Sequence, residues 1–157
     1  MEVRFLRSPL DTMRFATLTL IALASVAVAT PAPQAGFPPV EDVLILDFST
    51  RHQPDGAVDS VGLHITAHDA DNLYCGLTGE VLLGEKYACG SSKYSFALVK
   101  GVYDTWGVRI YHRWGVASGA SGYRDVPTYC HAGPLGSTVC TSQGPVSLYI
   151  DAVPKDW

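Results

Sequence analysis

The sequence predicts an all-β fold, a small antiparallel β-barrel or sandwich carrying two disulfides. Three observations predict it. From Glu41 onward apolar residues recur at every second position, which is the period of a strand with one buried face. Turn-forming residues interrupt these stripes at short intervals, and no window carries an amphipathic helix with a start and a stop signal. Four cysteines lie in a chain whose first residues read as an export signal, so oxidation into two bridges is expected.

Taken in chain order, the first element is an address. Arg4, Arg7 and Arg14 precede an uncharged run from Phe15 to Ala29 that ends in Ala27-Val28-Ala29, the small-residue pattern of a signal-peptidase site. Residues 1–29 are therefore read as a secretory signal peptide, and translation starting at Met13 instead of Met1 would leave the same mature chain. Fifteen uncharged residues fall short of the roughly 20 that cross a bilayer, and no membrane anchor is expected. Residues 30–40 follow, with four prolines that withhold backbone donors, and read as a disordered lead-in. The folded domain is assigned to 41–157, with its last structured residues near Val153.

Within that domain Val43-Leu44-Ile45-Leu46 is apolar on both faces, which ordinary burial explains. Val61, Leu63, Ile65 and Ala67 form the first clean stripe, opposite Gly62, His64, Thr66 and His68. Tyr94, Phe96 and Leu98 form the second. Trp106, Val108, Ile110, His112 and Trp114 form the third, opposite Arg109, Tyr111 and Arg113. Leu148, Ile150 and Ala152 form the fourth. Between them Pro54-Asp55-Gly56, Asp69-Ala70-Asp71-Asn72, Ser118-Gly119-Ala120-Ser121-Gly122 and Gly133-Pro134 read as turns. About seven or eight strands result, and over one small domain this means a sandwich or barrel.

Charge excludes one function class. The chain has 11 basic and 15 acidic residues, and loss of residues 1–29 leaves 8 against 13, a mature net charge of −5. The basic residues are scattered, so nucleic-acid binding is not expected. The single asparagine, Asn72, is not followed by Ser or Thr two positions on, so no N-glycan is expected.

Four cysteines allow three pairings. Spacing favours Cys75 with Cys89 and Cys130 with Cys140, each closing a short loop worth roughly 3 kcal/mol in the chain-entropy model. No pair has the spacing of a zinc knuckle, so no metal is expected. His64 and His68 would stand roughly 13 Å apart along a strand, too far to chelate one ion. No cofactor is expected.

Three segments carry a family resemblance: Val61-Gly62-Leu63-His64-Ile65-Thr66-Ala67, then Leu73-Tyr74-Cys75 through Lys86-Tyr87-Ala88-Cys89-Gly90, then Val126-Pro127-Thr128-Tyr129-Cys130-His131-Ala132-Gly133. The chain resembles the Alt a 1 family of fungal secreted proteins over nearly the whole mature domain, with only a loose match from Gly101 to Asp125. The resemblance implies an antiparallel β-barrel of unusual topology and an allergen-, elicitor- or effector-like role without established enzymatic activity. It also implies the Cys75–Cys89 and Cys130–Cys140 pairing. Members that form covalent dimers use an additional cysteine near the mature N-terminus. This sequence has none before Cys75, so a disulfide-linked dimer is not expected, while a noncovalent dimer stays open.

The residues offer only fragments of a catalytic site. A ribonuclease needs a base, an acid and a cation, and His112 with Arg109 or Arg113 supplies pieces, yet alternation points His112 away from both arginines. No Gly-x-Ser-x-Gly elbow occurs. Asp47 and Asp151 would pair only if their strands adjoined in register. The richest aromatic and basic patch is Arg109, Tyr111 and Arg113 between Trp106 and Trp114. The plain reading puts both tryptophans in the core and the other three on an outer face. The functional reading makes Arg109, Tyr111 and Arg113 a contact surface for a host plant protein or a small phenolic ligand. A phenolic-carrying barrel would need an apolar cavity of roughly 300 Å³ or more.

Overall fold

The computed structural model describes residues 40–116 and 118–152. The leader and the proline-rich lead-in read from the sequence lie outside these residues. Ten strands form two antiparallel sheets. They are β1 (Glu41–His52), β2 (Val58–Ala67), β3 (Ala70–Val81), β4 (Tyr87–Ala88), β5 (Tyr94–Lys100), β6 (Trp106–Gly115), β7 (Ser118–Val126), β8 (Thr128–Ala132), β9 (Thr138–Ser142) and β10 (Val146–Ile150). A single 3₁₀ turn, Pro134–Gly136, is the one helical piece among the described residues. The first sheet has the order β3-β2-β1-β9-β8, and β10 also pairs with β1. The second has the order β4-β5-β6-β7.

β1 is the central strand because it serves two partners along one side. Glu41 to Ile45 pair with β10, and Ser49 to His52 pair with β9. A bulge between Leu46 and Ser49 makes the switch, and Asp47 there has a φ of 51°, a backbone region that Asp and Asn enter at less cost than most residues. The double-apolar run resolves by ordinary burial: Val43 and Ile45 enter the core, while Leu44 and Leu46 are half-covered on the other face.

The core between the sheets takes the inward residues of both. Val43, Ile45, Phe48, Val61, Leu63 and Ile65 come from the first sheet, and Tyr94, Phe96, Leu98, Val108 and Ile110 from the second. The first three stripes occupy these inward positions. The fourth ends at Ile150, since Ala152 is exposed.

Two sequence expectations need correction. Ser118–Gly122 is not a turn but the first half of β7. Its small residues serve close approach: a Cβ on Gly122 would stand 2.0 Å from the carbonyl oxygen of Tyr149, so β7 can reach β10 only without a side chain there. The turn before β3 is also tighter than Asp69–Asn72, because β3 already begins at Ala70. The fold-class expectation holds, with the two sheets not closing into a barrel. Of the two alternatives, sandwich is the one that fits.

Single links cross the open seams. At one edge Ser121 N donates to the Ala152 oxygen at 2.7 Å, and Ala152 N returns to Ser121 at 3.2 Å. At the other, the Cys75–Cys89 disulfide joins β3 of the larger sheet to the residue following β4 of the smaller. Cys130–Cys140 is a directly opposed pair within the β8–β9 hairpin.

A polar knot ties the sheets from within. Glu41 on β1 receives the Tyr94 hydroxyl at 2.5 Å and the His112 Nδ1 at 2.7 Å, both from the smaller sheet. The backbone N–H of His68 also donates to Glu41, and that of Asp69 donates to the Tyr94 oxygen. Burial, aided by the Glu41 carboxylate, pushes the Tyr94 phenol up from its usual value. Asp69 is held below the ordinary carboxylate range by Lys93 at 3.0 Å and then by His68.

Candidate recognition surface

The smaller sheet presents its outer face through alternate residues of β6 and β7. Direct cross-strand neighbours share a face, and here Arg109 lies opposite Tyr123, Tyr111 opposite Ser121, and Arg113 opposite Gly119. Arg109 and Arg113 are exposed. Tyr111 is half-buried, and the Lys86 ammonium sits 4.7 Å from its ring centre. Trp106 is buried and Trp114 half-buried on the opposite face. All three sequence-singled residues therefore stand on one outer surface. Lys86 and Tyr123, which the sequence reading did not single out, complete it.

Beside this face a loop is pinned by one carboxylate. Asp125 on β7 accepts the Tyr123 hydroxyl and the backbone N–H groups of Val102 and Tyr103, the latter at 2.6 Å, with a longer contact of 3.4 Å from Asp104. The Tyr123 hydroxyl and then these N–H groups lower the Asp125 carboxyl to about 2. The loop in turn holds out Val102 and Tyr103, the tyrosine 94 % exposed. Because the folded carboxyl titrates below its unfolded value of about 3.9, the clasp is intact above about pH 4 and is lost as pH falls towards 2. Asp125→Ala is expected to raise amide hydrogen exchange at residues 102–104 at neutral pH, with the core amides unchanged. Equal protection in variant and wild type would remove the clasp.

An open groove of about 760 Å³ runs past this loop, lined by Tyr103, Tyr123, Arg124, Pro127, Pro145 and Val146 among others. A smaller one of about 290 Å³ adjoins it and includes Arg109 and Tyr149. Tyr123 and Arg124 line both.

The catalytic candidates are not assembled for chemistry. His112 is within hydrogen-bond reach of a carboxylate, but it is 0 % exposed, so no substrate reaches it where it stands. Arg109 and Arg113 are on the other face of its strand. Asp47 and Asp151 lie beyond opposite ends of the β1–β10 ladder, whose pairs run from Glu41 and Ile150 to Ile45 and Val146. His64 faces Asp47 at 3.6 Å, and His68, in the turn after β2, bonds to Asp69. No group of three or more His, Cys, Asp or Glu residues suited to a metal ion occurs among the described residues. No described helix is long and apolar enough to cross a membrane.

These features define a cystine-stapled, all-antiparallel β-sandwich. Residues 45–141 match the family model described as Alternaria alternata allergen 1, and the chain belongs to that family. It is 36 % identical over 146 residues to effector protein PevD1 of Verticillium dahliae, covering 87 % of this chain and 94 % of the relative. Two crystal structures of the Alternaria alternata allergen Alt a 1 share the fold. One gives a TM-score of 0.60 at 20 % identity, covering 82 % of this chain and 99 % of that one. The other gives 0.59 at 21 % identity, covering 73 % and 96 %.

Proposed function

We propose that this chain is a secreted, non-enzymatic protein that acts outside the cell by surface recognition, as an effector or elicitor sensed by plant tissue. The observation that carries the reading is the gathering of Arg109, Tyr111 and Arg113 with Lys86 and Tyr123 on one solvent-facing sheet of a chain whose net charge is −4. Aromatic and Arg side chains supply most interface hot spots, and a basic patch on an acidic protein steers it towards an acidic partner. Kinship with an effector protein supports the extracellular setting, as do two disulfides and the leader read from the sequence. The sealed position of His112 speaks against hydrolysis through that residue.

The test uses the mature protein with Arg109→Ala and Tyr111→Ala. Infiltrated into leaves, each variant is expected to need about tenfold more protein for the same defence response, the effect of losing one interface anchor. Responses equal to wild type from both folded variants would remove the surface from the account.

A second reading has one observation in its favour. The 760 Å³ groove has the size of a small-molecule site and carries two tyrosines, so a planar phenolic ligand would lie there and not inside the sandwich. Tyr103→Ala should then weaken binding of a planar phenol, and unaltered binding would exclude this groove.

A further inference from the structure

We propose that the outer face of the larger sheet is a binding trough for an extended, neutral polysaccharide chain. One unbroken row of cross-strand neighbours crosses five strands there: Tyr129 on β8, Thr141 on β9, Ser49 on β1, Gly62 on β2 and Gly76 on β3. Opposed residues share a face, and the pairing continues from strand to strand, so all five stand on one side of the sheet. The middle of the row is low. Thr141 and Ser49 contribute hydroxyl groups and form the open floor, while the two glycines carry no side chain and leave room for the Tyr74 ring above them.

The ends of the row are high. Tyr129 is 65 % exposed and Tyr74 58 %. Tyr74 leans across both glycines: a Cβ on Gly76 would stand 2.3 Å from its hydroxyl oxygen, and one on Gly62 3.2 Å. Its ring packs 5.3 Å from that of His64. With strands about 4.8 Å apart, Tyr129 and the ring above Gly62 are separated by roughly 14 Å, room for a few sugar rings laid along the row. Beside the floor, the β1 bulge raises Asp47, whose side chain is 80 % exposed and faces His64. A groove of about 320 Å³ joins Asp47 and Ser49 to Thr141 and Ser142.

This chemistry selects its ligand. Tyrosine faces take the C–H faces of pyranose rings, whereas hydroxyl groups and a carboxylate bond sugar hydroxyls. Asp47 adds negative charge beside the floor, and the one cation in the neighbouring row, Arg51, is already paired with Asp59 at 2.7 Å, so the face favours a neutral polymer over an anionic one. A peptide adding as a strand would join the outer edge of β3 or β8 and not lie on this face, because β9, β1 and β2 each already have neighbours on both sides.

The experiment measures depletion of the full mature protein by insoluble cellulose and by chitin, with soluble cellohexaose and chitohexaose as competitors and polygalacturonate as the anionic arm. Retention on cellulose, on chitin or on both, reversed by the matching hexasaccharide, is expected, and the arm that retains it tells plant-wall from fungal-wall glycan. Tyr129→Ala should weaken retention about tenfold. Thr141→Trp, which fills the floor, should abolish it, while Tyr103→Ala in the loop between β5 and β6 leaves it unchanged. Tyr129 is exposed, so its variant tests the site without relying on a core change. The proposal is overturned by passage of wild type through both neutral polymers, by preference for polygalacturonate, or by undiminished retention of Tyr129→Ala.

Discussion

Replacing Cys75 and Cys89 together by serine is expected to lower the unfolding free energy by about 3 kcal/mol. The bridge closes a loop with a sequence separation of 14, for which the chain-entropy model gives a loss of that order. It is also the one covalent link between β3 and the β4 segment, where no ladder joins the two sheets. Small domains hold only about 5–15 kcal/mol, so the melting temperature should fall by roughly 10 °C. The Cys130–Cys140 bridge lies within a hairpin that its own ladder already holds. Serines there should cost less, and calorimetry of the two double variants side by side decides it. An equal or reversed order would mean that Cys75–Cys89 does not carry the seam.

Glu41→Ala is the second large effect, at about 3 kcal/mol. Its carboxylate is the one acceptor shared by Tyr94 and His112, buried groups that arrive from the opposite sheet. Removing it leaves both in the low-dielectric interior without that bond. Glu41→Gln keeps one oxygen acceptor and should recover part of the loss. The same knot adds a pH dependence on the alkaline side. The folded Tyr94 phenol is raised above its unfolded value of about 10. Its contribution is therefore complete below pH 10 and disappears as pH climbs beyond. Urea titrations at pH 8 and 11 should show a steeper alkaline loss in wild type than in Tyr94→Phe, and identical slopes would contradict the assignment.

How much of this was legible beforehand follows from which interactions are local. Alternation along Val61–Ala67, Tyr94–Leu98 and Trp106–Trp114 named the inward residues, because a strand with one buried face writes its period into the sequence. Cysteine spacing pointed at the two short loops that the structure closes. Ser118–Gly122 misled because glycine and serine signal a turn when read locally. Here they are small for a non-local reason, the backbone of β10 lying against them.

The seam crossing at Ser121 and Ala152 is a single residue pair and leaves no periodic trace, so sandwich could not be told from barrel. Glu41 meets Tyr94 and His112 across separations of 53 and 71 residues, beyond any window of pattern reading. The candidate surfaces divide in the same way. Arg109, Tyr111 and Arg113 are neighbours on one strand and were visible as a patch. Tyr123 joins them only through the β6–β7 register, and the row from Tyr129 to Gly76 exists only once four registers are known.

The most direct test infiltrates leaves with three samples of the mature protein at equal concentration: native, reduced and alkylated, and a folded Arg109→Glu/Arg113→Glu variant. If a rigid outer face is what plant tissue senses, ion leakage follows the native sample alone, and the double variant is silent despite an unchanged melting temperature. Equal leakage from the reduced, alkylated chain would place the activity in a linear stretch of sequence and contradict the account.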